Sequence, residues 1–204
     1  MNLNNISENS TPFKHWEIAD CFNKDTLEEI SFASIPEGER AYDGTRAADH
    51  TGQGVDGKLR LYLTKENSYS FPNLTKIIQS LQSKKIYEKI SNLLKTDLSS
   101  AYVRLEIIAD KKGFWLKPHK DIKEKLMTMM VWANPYNESE NLGTDLYDND
   151  FNLVKTIKYI HNNGYFFSSG QDTWHGLGLK EIIKERRCIQ INYVSFQTDW
   201  PVIK

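Results

Sequence analysis

The segment Lys117-Pro118-His119-Lys120-Asp121 carries an imidazole and a carboxylate two positions apart. In a strand, residues i and i+2 share a face, so His119 and Asp121 can be aimed at one point. Thr173-Trp174-His175-Gly176 offers a second imidazole from a distant part of the chain. Two imidazoles and one carboxylate occupy one face of an octahedron and leave the other open. Non-haem Fe(II) uses this arrangement where O2 and a cosubstrate must both reach the metal. An HxD pair alone arises often by chance, and a lone histidine is more commonly a hydrogen-bonded or surface side chain. The weight therefore falls on a third feature.

That feature is Arg186-Arg187-Cys188-Ile189-Gln190-Ile191-Asn192-Tyr193-Val194, a β-prone run that opens with arginine soon after His175. A guanidinium fork suits bidentate capture of a carboxylate. Inside an apolar barrel it needs such a partner, because an unpaired buried charge is costly. Arg187 is assigned that role and Arg186 that of a solvated charge at the strand's start. 2-Oxoglutarate supplies both ends of such a site: its 1-carboxylate and 2-keto oxygen can chelate iron while its distal carboxylate reaches Arg187.

Taken in order, PHKD, NLGTDLYD, TWHGL and RRCIQINYV resemble the 2-oxoglutarate/Fe(II)-dependent dioxygenases, the prolyl-hydroxylase-like branch in particular. The resemblance covers roughly the second half of the chain. It implies a mostly β fold with N-terminal helices (α+β), built on a double-stranded β-helix core of the jelly-roll or cupin-like kind. It implies that His119, Asp121 and His175 bind Fe(II) as the catalytic centre and that Arg187 holds 2-oxoglutarate. It further implies that Thr128, Met130, Trp132, Leu146, Leu177 and Tyr193 line the cosubstrate pocket, Trp132 standing where a tyrosine can occur in the family. The implied reaction is hydroxylation of a C–H bond of a peptidyl (prolyl) or small-molecule substrate, with consumption of O2 and release of succinate and CO2. Ascorbate is an optional accessory. The competing readings are a non-catalytic β-barrel module and a cupin-type metal site with a different ligand set; His15, His50 and His161 have no motif-like company to support the latter.

The elements that must position these groups are legible in outline. From residue 100, AYVRLEIIA, KLMTMMVWA, DLYD, YFF and RCIQINYVSF are short β-prone runs separated by Gly, Asn, Asp and Pro, the pattern of a sandwich or barrel. No strand–helix alternation points to a doubly wound sheet. Ahead of them, LRLYL alternates as a strand. Leu74, Ile77, Ile78 and Leu81, then Ile86, Ile90, Leu93 and Leu94, recur at helical spacing with a phase slip near Ser83. An earlier helix starts near Asn23, where Asp25 and Glu28 suggest a capping box. Residues 36 to 58 hold Gly38, Gly44, Gly52, Gly54 and Gly57 and read as a long loop able to close over the site. Arg46, Asp49 and His50 in that loop, Arg60 on the next strand, and Arg104 and Glu106 before the HxD pair are candidate substrate contacts. Trp115 and Trp174 flank the ligands and are candidate walls.

The 204 residues, 39% hydrophobic and 26% charged, suit a single domain over 1–204. Its parts are a loose tail at 1–12, a helical and loop region at 13–99 and the catalytic core at 100–198. A net charge of −1 gives no nucleic-acid footprint, and no apolar run approaches a membrane span. MNLNNISENSTPFKHW lacks the pattern of a secretory signal, and the expected setting is cytoplasmic. Cys21 and Cys188 suggest neither a disulfide framework nor a zinc knuckle.

Overall fold

The computed structural model describes residues 1–36 and 57–203. Among the described residues, twelve strands and three α-helices run in the order β1 (Ile6–Asn9), β2 (His15–Ile18), α1 (Lys24–Phe32), β3 (Lys58–Tyr62), α2 (Pro72–Gln82), α3 (Lys84–Leu94), β4 (Tyr102–Asp110), β5 (Leu116–His119), β6 (Lys125–Ala133), β7 (Thr144–Tyr147), β8 (Leu153–Ile157), β9 (Gly164–Phe167), β10 (His175–Leu177), β11 (Arg186–Val194) and β12 (Trp200–Pro201). The large sheet runs β1-β2-β9-β6-β11-β4-β12, with β3 also on β4; the small sheet runs β5-β10-β7-β8. All their pairings are antiparallel. Of the eight strands β4 to β11, β4, β6, β9 and β11 lie in the large sheet and β5, β7, β8 and β10 in the small one, which is the double-stranded β-helix expected from the second half of the sequence.

Period-2 alternation sorts each long strand between two cores. One face of β4, β6 and β11 presents Val103, Leu105, Ile107, Met127, Met129, Val131, Ile189, Ile191 and Tyr193 to the helices. There Leu74, Ile78, Leu81 and Ile90 are fully buried, each worth about 1.5–3 kcal/mol. The opposite face closes a second core between the sheets, with Ile108, Met130, Trp132, Tyr165, Phe167 and Cys188. Helices α2 and α3 break at Ser83, whose extended ψ of 140° ends one and starts the other. This is the phase slip seen in the sequence.

Two expectations are corrected. Residues 1–12 are not a loose tail: Ile6–Asn9 pairs residue for residue with His15–Ile18 and extends the large sheet, while Leu3 is buried in the core. The polar composition concealed an edge strand, whose solvent face needs no apolar residues. The first helix is capped not by a capping box but by Asn23, whose side chain accepts from the Thr26 amide at 3.0 Å. Both cysteines are buried free thiols, and no helix among the described residues is long and apolar enough to cross a membrane.

Candidate functional site

His119 ends β5 and His175 begins β10, where they are directly opposed in the antiparallel ladder. Asp121 follows two residues after His119. One ligand atom from each lies within 4.8 Å of the others. The Nδ1 of His119 bonds Lys117 O at 3.0 Å and the Nδ1 of His175 bonds Thr173 O at 2.9 Å. Each carbonyl therefore takes the Nδ1 proton and leaves a bare Nε2 for a cation, the tautomer arrangement of metal-ligating imidazoles. Burial pushes the His119 imidazole down to about 3, helped by His175, and burial also lowers His175. Burial alone would raise Asp121, but Lys125 and the two imidazoles overcome it and hold the carboxylate ionised. Neutral imidazoles beside an ionised carboxylate are the protonation states a divalent cation requires, so the residues fit a two-histidine, one-carboxylate metal centre.

Asp121 is held on both oxygens. Thr128 donates to Oδ2 at 2.6 Å and the Lys125 ammonium sits 2.6 Å from Oδ1. Thr128 in turn accepts from Asn192 Nδ2 at 2.9 Å, and Asn192 Oδ1 accepts from Arg104 at 3.3 Å. A register shift near the start of β6 accompanies the inward position of Lys125.

The triad opens into a cleft whose walls include Thr128, Met130, Leu177, Arg60 and Arg186. Thr128, Met130, Leu177 and Arg60 were candidate contacts in the sequence, whereas Arg186 was assigned to solvent. Arg186 is buried, paired with Asp110, and its guanidinium lies 4.8 Å from the Trp132 ring centroid. Trp132 and Leu146 lie in the core behind the cleft. The correction concerns Arg187 and Tyr193. Both are on the helical face of β11: Arg187 pairs with Glu185 and donates to Ala33 O at 2.9 Å, while the Tyr193 hydroxyl donates to Leu81 O at 2.6 Å. Strand parity is the reason. Arg187, Ile189, Ile191 and Tyr193 share one face, and three of them pack on helices. Arg104 is buried against Asn192, Tyr62 and Phe196, outside the cleft wall. Arg46, Asp49 and His50, with most of the expected lid, lie outside the described residues. Trp115 and Trp174 do not line the cleft; Trp174 packs against Phe151 and under Lys120.

The sequence reading missed Lys58, Lys125, Thr144, Tyr165 and Gln190, all on the cleft wall. Gln190 shares a parity with Arg186, and Lys58 shares one with Arg60. That period-2 signal was available. The shift that turns Lys125 inward has no sequence signature.

No family model matches the chain, and no curated protein does so at a significant level. Solved structures do. The fold is that of the prolyl-hydroxylase-like 2-oxoglutarate oxygenases. A prolyl-4-hydroxylase from Pseudomonas putida superposes with a TM-score of 0.63 at 10% identity, over 90% of this chain and 93% of its own. A prolyl hydroxylase from Trichoplax adhaerens, solved with a hypoxia-inducible-factor peptide fragment, gives 0.61 at 15% identity, over 89% and 83%. HygX from Streptomyces hygroscopicus, solved with nickel and 2-oxoglutarate, gives 0.59 at 10% identity, over 91% and 85%.

Proposed function

We propose that this protein is an Fe(II)- and 2-oxoglutarate-dependent oxygenase that hydroxylates a C–H bond of its substrate. The observation that carries the reading is the meeting of His119, Asp121 and His175 at one point, in the same cleft as the buried guanidinium of Arg186. The likeness to HygX, whose structure holds nickel and 2-oxoglutarate, supports the same cosubstrate here. The metal, when bound, supplies with 2-oxoglutarate and O2 the oxidation that yields succinate, CO2 and hydroxylated product.

The chain's own part is positioning. His119 and His175 offer neutral Nε2 atoms, and Asp121 offers a carboxylate held by Thr128. Arg186, rather than Arg187, is the cation placed to take the distal carboxylate of the cosubstrate. Its stacking on Trp132 fixes the plane of the fork, and Asp110 holds one edge. Apolar walls from Met130 and Leu177 keep water from the reacting centre. Similarity to prolyl hydroxylases keeps a peptidyl substrate open, and similarity to HygX, also solved with hygromycin B bound, keeps a small molecule open.

Anaerobic titration of the protein with Fe(II) and then 2-oxoglutarate tests the reading. A weak metal-to-ligand charge-transfer band in the visible is expected only when both are present, and admission of O2 is expected to give succinate. Tight metal binding with no band and no succinate would sink it in favour of a metal-binding module.

A further inference from the structure

The two oxygens of Asp121 have different surroundings. Oδ2 is turned to His175, 3.9 Å from that imidazole's Nε2, and Thr128 donates to it at 2.6 Å. Oδ1 takes the Lys125 ammonium at 2.6 Å. This ion pair is enclosed, the Lys125 and Asp121 side chains being 5% and 3% exposed. The backbone sets its geometry. The Lys125 amide donates to Ile122 O at 3.0 Å, and the Ser195 amide, just past β11, donates to Glu124 O at 2.9 Å. The turn ahead of β6 is thereby tied to the neighbouring strand. The register shift at the same point turns Lys125 inward, back onto the carboxylate four residues before it.

A carboxylate can hold a metal through one oxygen or through both. The difference matters at an octahedral centre. His119, Asp121 and His175 leave three positions open when the aspartate gives one oxygen, and two when it gives both. A chelating cosubstrate and O2 need three together. For Oδ1 to join the metal, Asp121 would have to release Lys125 and leave an ammonium unpaired inside the protein, which is costly. We propose that Lys125 is a positioning residue that clamps Oδ1, so that Asp121 serves the metal through Oδ2 alone and the third open position is kept. Lys125 acts through Asp121, and its charge beside the metal also weakens metal binding. The clamp thus lowers metal affinity and preserves coordination space. The inference rests on the oxygenase reading, which is what gives the third position a use.

The test uses the full chain loaded with Mn(II). Water proton relaxation counts the exchangeable waters on the metal, and calorimetry gives the affinities for Mn(II) and then for 2-oxoglutarate. The unaltered protein is expected to hold about three waters, the octahedral remainder after three protein donors. Lys125→Met keeps an unbranched stem and removes the ammonium, and circular dichroism checks that the variant folds. It is expected to hold about two waters, to bind Mn(II) at least threefold more tightly and to bind 2-oxoglutarate at least tenfold more weakly. A side chain that only supported the site would lower the Mn(II) affinity when removed. One that only touched the cosubstrate would leave the water count alone. Two waters on the unaltered protein would overturn the clamp whether or not the variant folds. An unchanged count in the folded variant, or a fall in its Mn(II) affinity, would overturn it too. These failures leave the oxygenase reading standing. Failure of the unaltered protein to bind 2-oxoglutarate overturns that reading and the clamp's role with it.

Discussion

His119 and His175 are directly opposed residues of the β5–β10 ladder, with ring centroids 4.3 Å apart and planes tilted by 50°. The metal centre is thus a cross-strand pair completed by Asp121, and the ladder fixes it before any cation arrives. Phe167 meets the His175 ring edge-on at 5.0 Å and limits its rotation. His175→Ala should leave the fold in place and cost at least about 100-fold in affinity for Fe(II) or Mn(II), more than loss of an outer partner does. Calorimetric metal titration and circular dichroism check this; retained affinity would remove His175 from the ligand set.

The two adjacent arginines separate binding from stability. Arg186→Met should raise the 2-oxoglutarate requirement by the worth of a charge-assisted contact, about 1.5–3 kcal/mol, or roughly 10- to 150-fold. Arg187→Met should leave that requirement unchanged. It should instead destabilise the fold by about 1–3 kcal/mol, because the carbonyls of Ile30 and Ala33 and the Glu185 carboxylate lose their donor. Cosubstrate titration and urea unfolding on both variants give the comparison. The reverse pattern would return the role to Arg187.

This pair also marks how far the sequence alone reached. The triad was legible from the order of PHKD and TWHGL in the chain, although Asp121 lies two residues beyond the end of β5 and not within the strand that the i, i+2 argument assumed. The barrel was legible from its short β-prone runs. The neighbouring arginine was misassigned because a run of nine residues with apolar side chains at Ile189, Ile191 and Tyr193 has two buried faces. Only the packing of helices on one of them decides which arginine looks into the cleft. The edge strand Ile6–Asn9 was hidden because it is polar on its exposed face. The inward Lys125 was hidden because a register shift in β6 breaks the alternation on which parity arguments depend.

Thr128 and Asn192 form a relay that orients the ligand carboxylate: Asn192 donates to Thr128 and Thr128 to Asp121. Thr128→Val keeps the shape and removes the hydroxyl. It should lower metal affinity about 10- to 100-fold, the usual cost of an outer-sphere partner. Thr128→Ser should restore most of it, which a purely packing role would not predict. Unaltered affinity in the valine variant would show that Lys125 alone orients Asp121.

Stability of the metal-free protein should depend on the two ligand histidines. Their folded-state pKa values are depressed, His119 to about 3. The unfolded chain therefore takes up protons first, near the ordinary histidine value of about 6.5. Stability falls as pH drops below that point and goes on falling until the folded imidazole itself protonates. Thermal melting between pH 7 and 4 should show this decline, and His119→Asn should flatten it. Bound Mn(II) should steepen it, since protons then compete with the metal. A melting temperature independent of pH in this window would contradict the depressed values.

Gly176 follows His175 on β10 at a point where the two ligand strands approach too closely for a side chain. A Cβ there would lie 2.7 Å from Leu116 O and 3.0 Å from Lys117 O. Both are backbone atoms of β5, so no rotamer change relieves the contact. Lys117 O is also the acceptor that fixes the His119 tautomer. Gly176→Ala should therefore push β5 away from β10, weaken metal binding by about tenfold or more, and destabilise the fold by about 1–3 kcal/mol, the usual cost of overpacking. Gly170→Ala is the control: its nearest neighbour, at 3.2 Å, is the tip of the Asp172 side chain, which can move. Metal titration and urea unfolding on the two variants check the claim. Equal effects of both substitutions would mean that the close approach of β5 to β10 does not set the geometry of the metal centre.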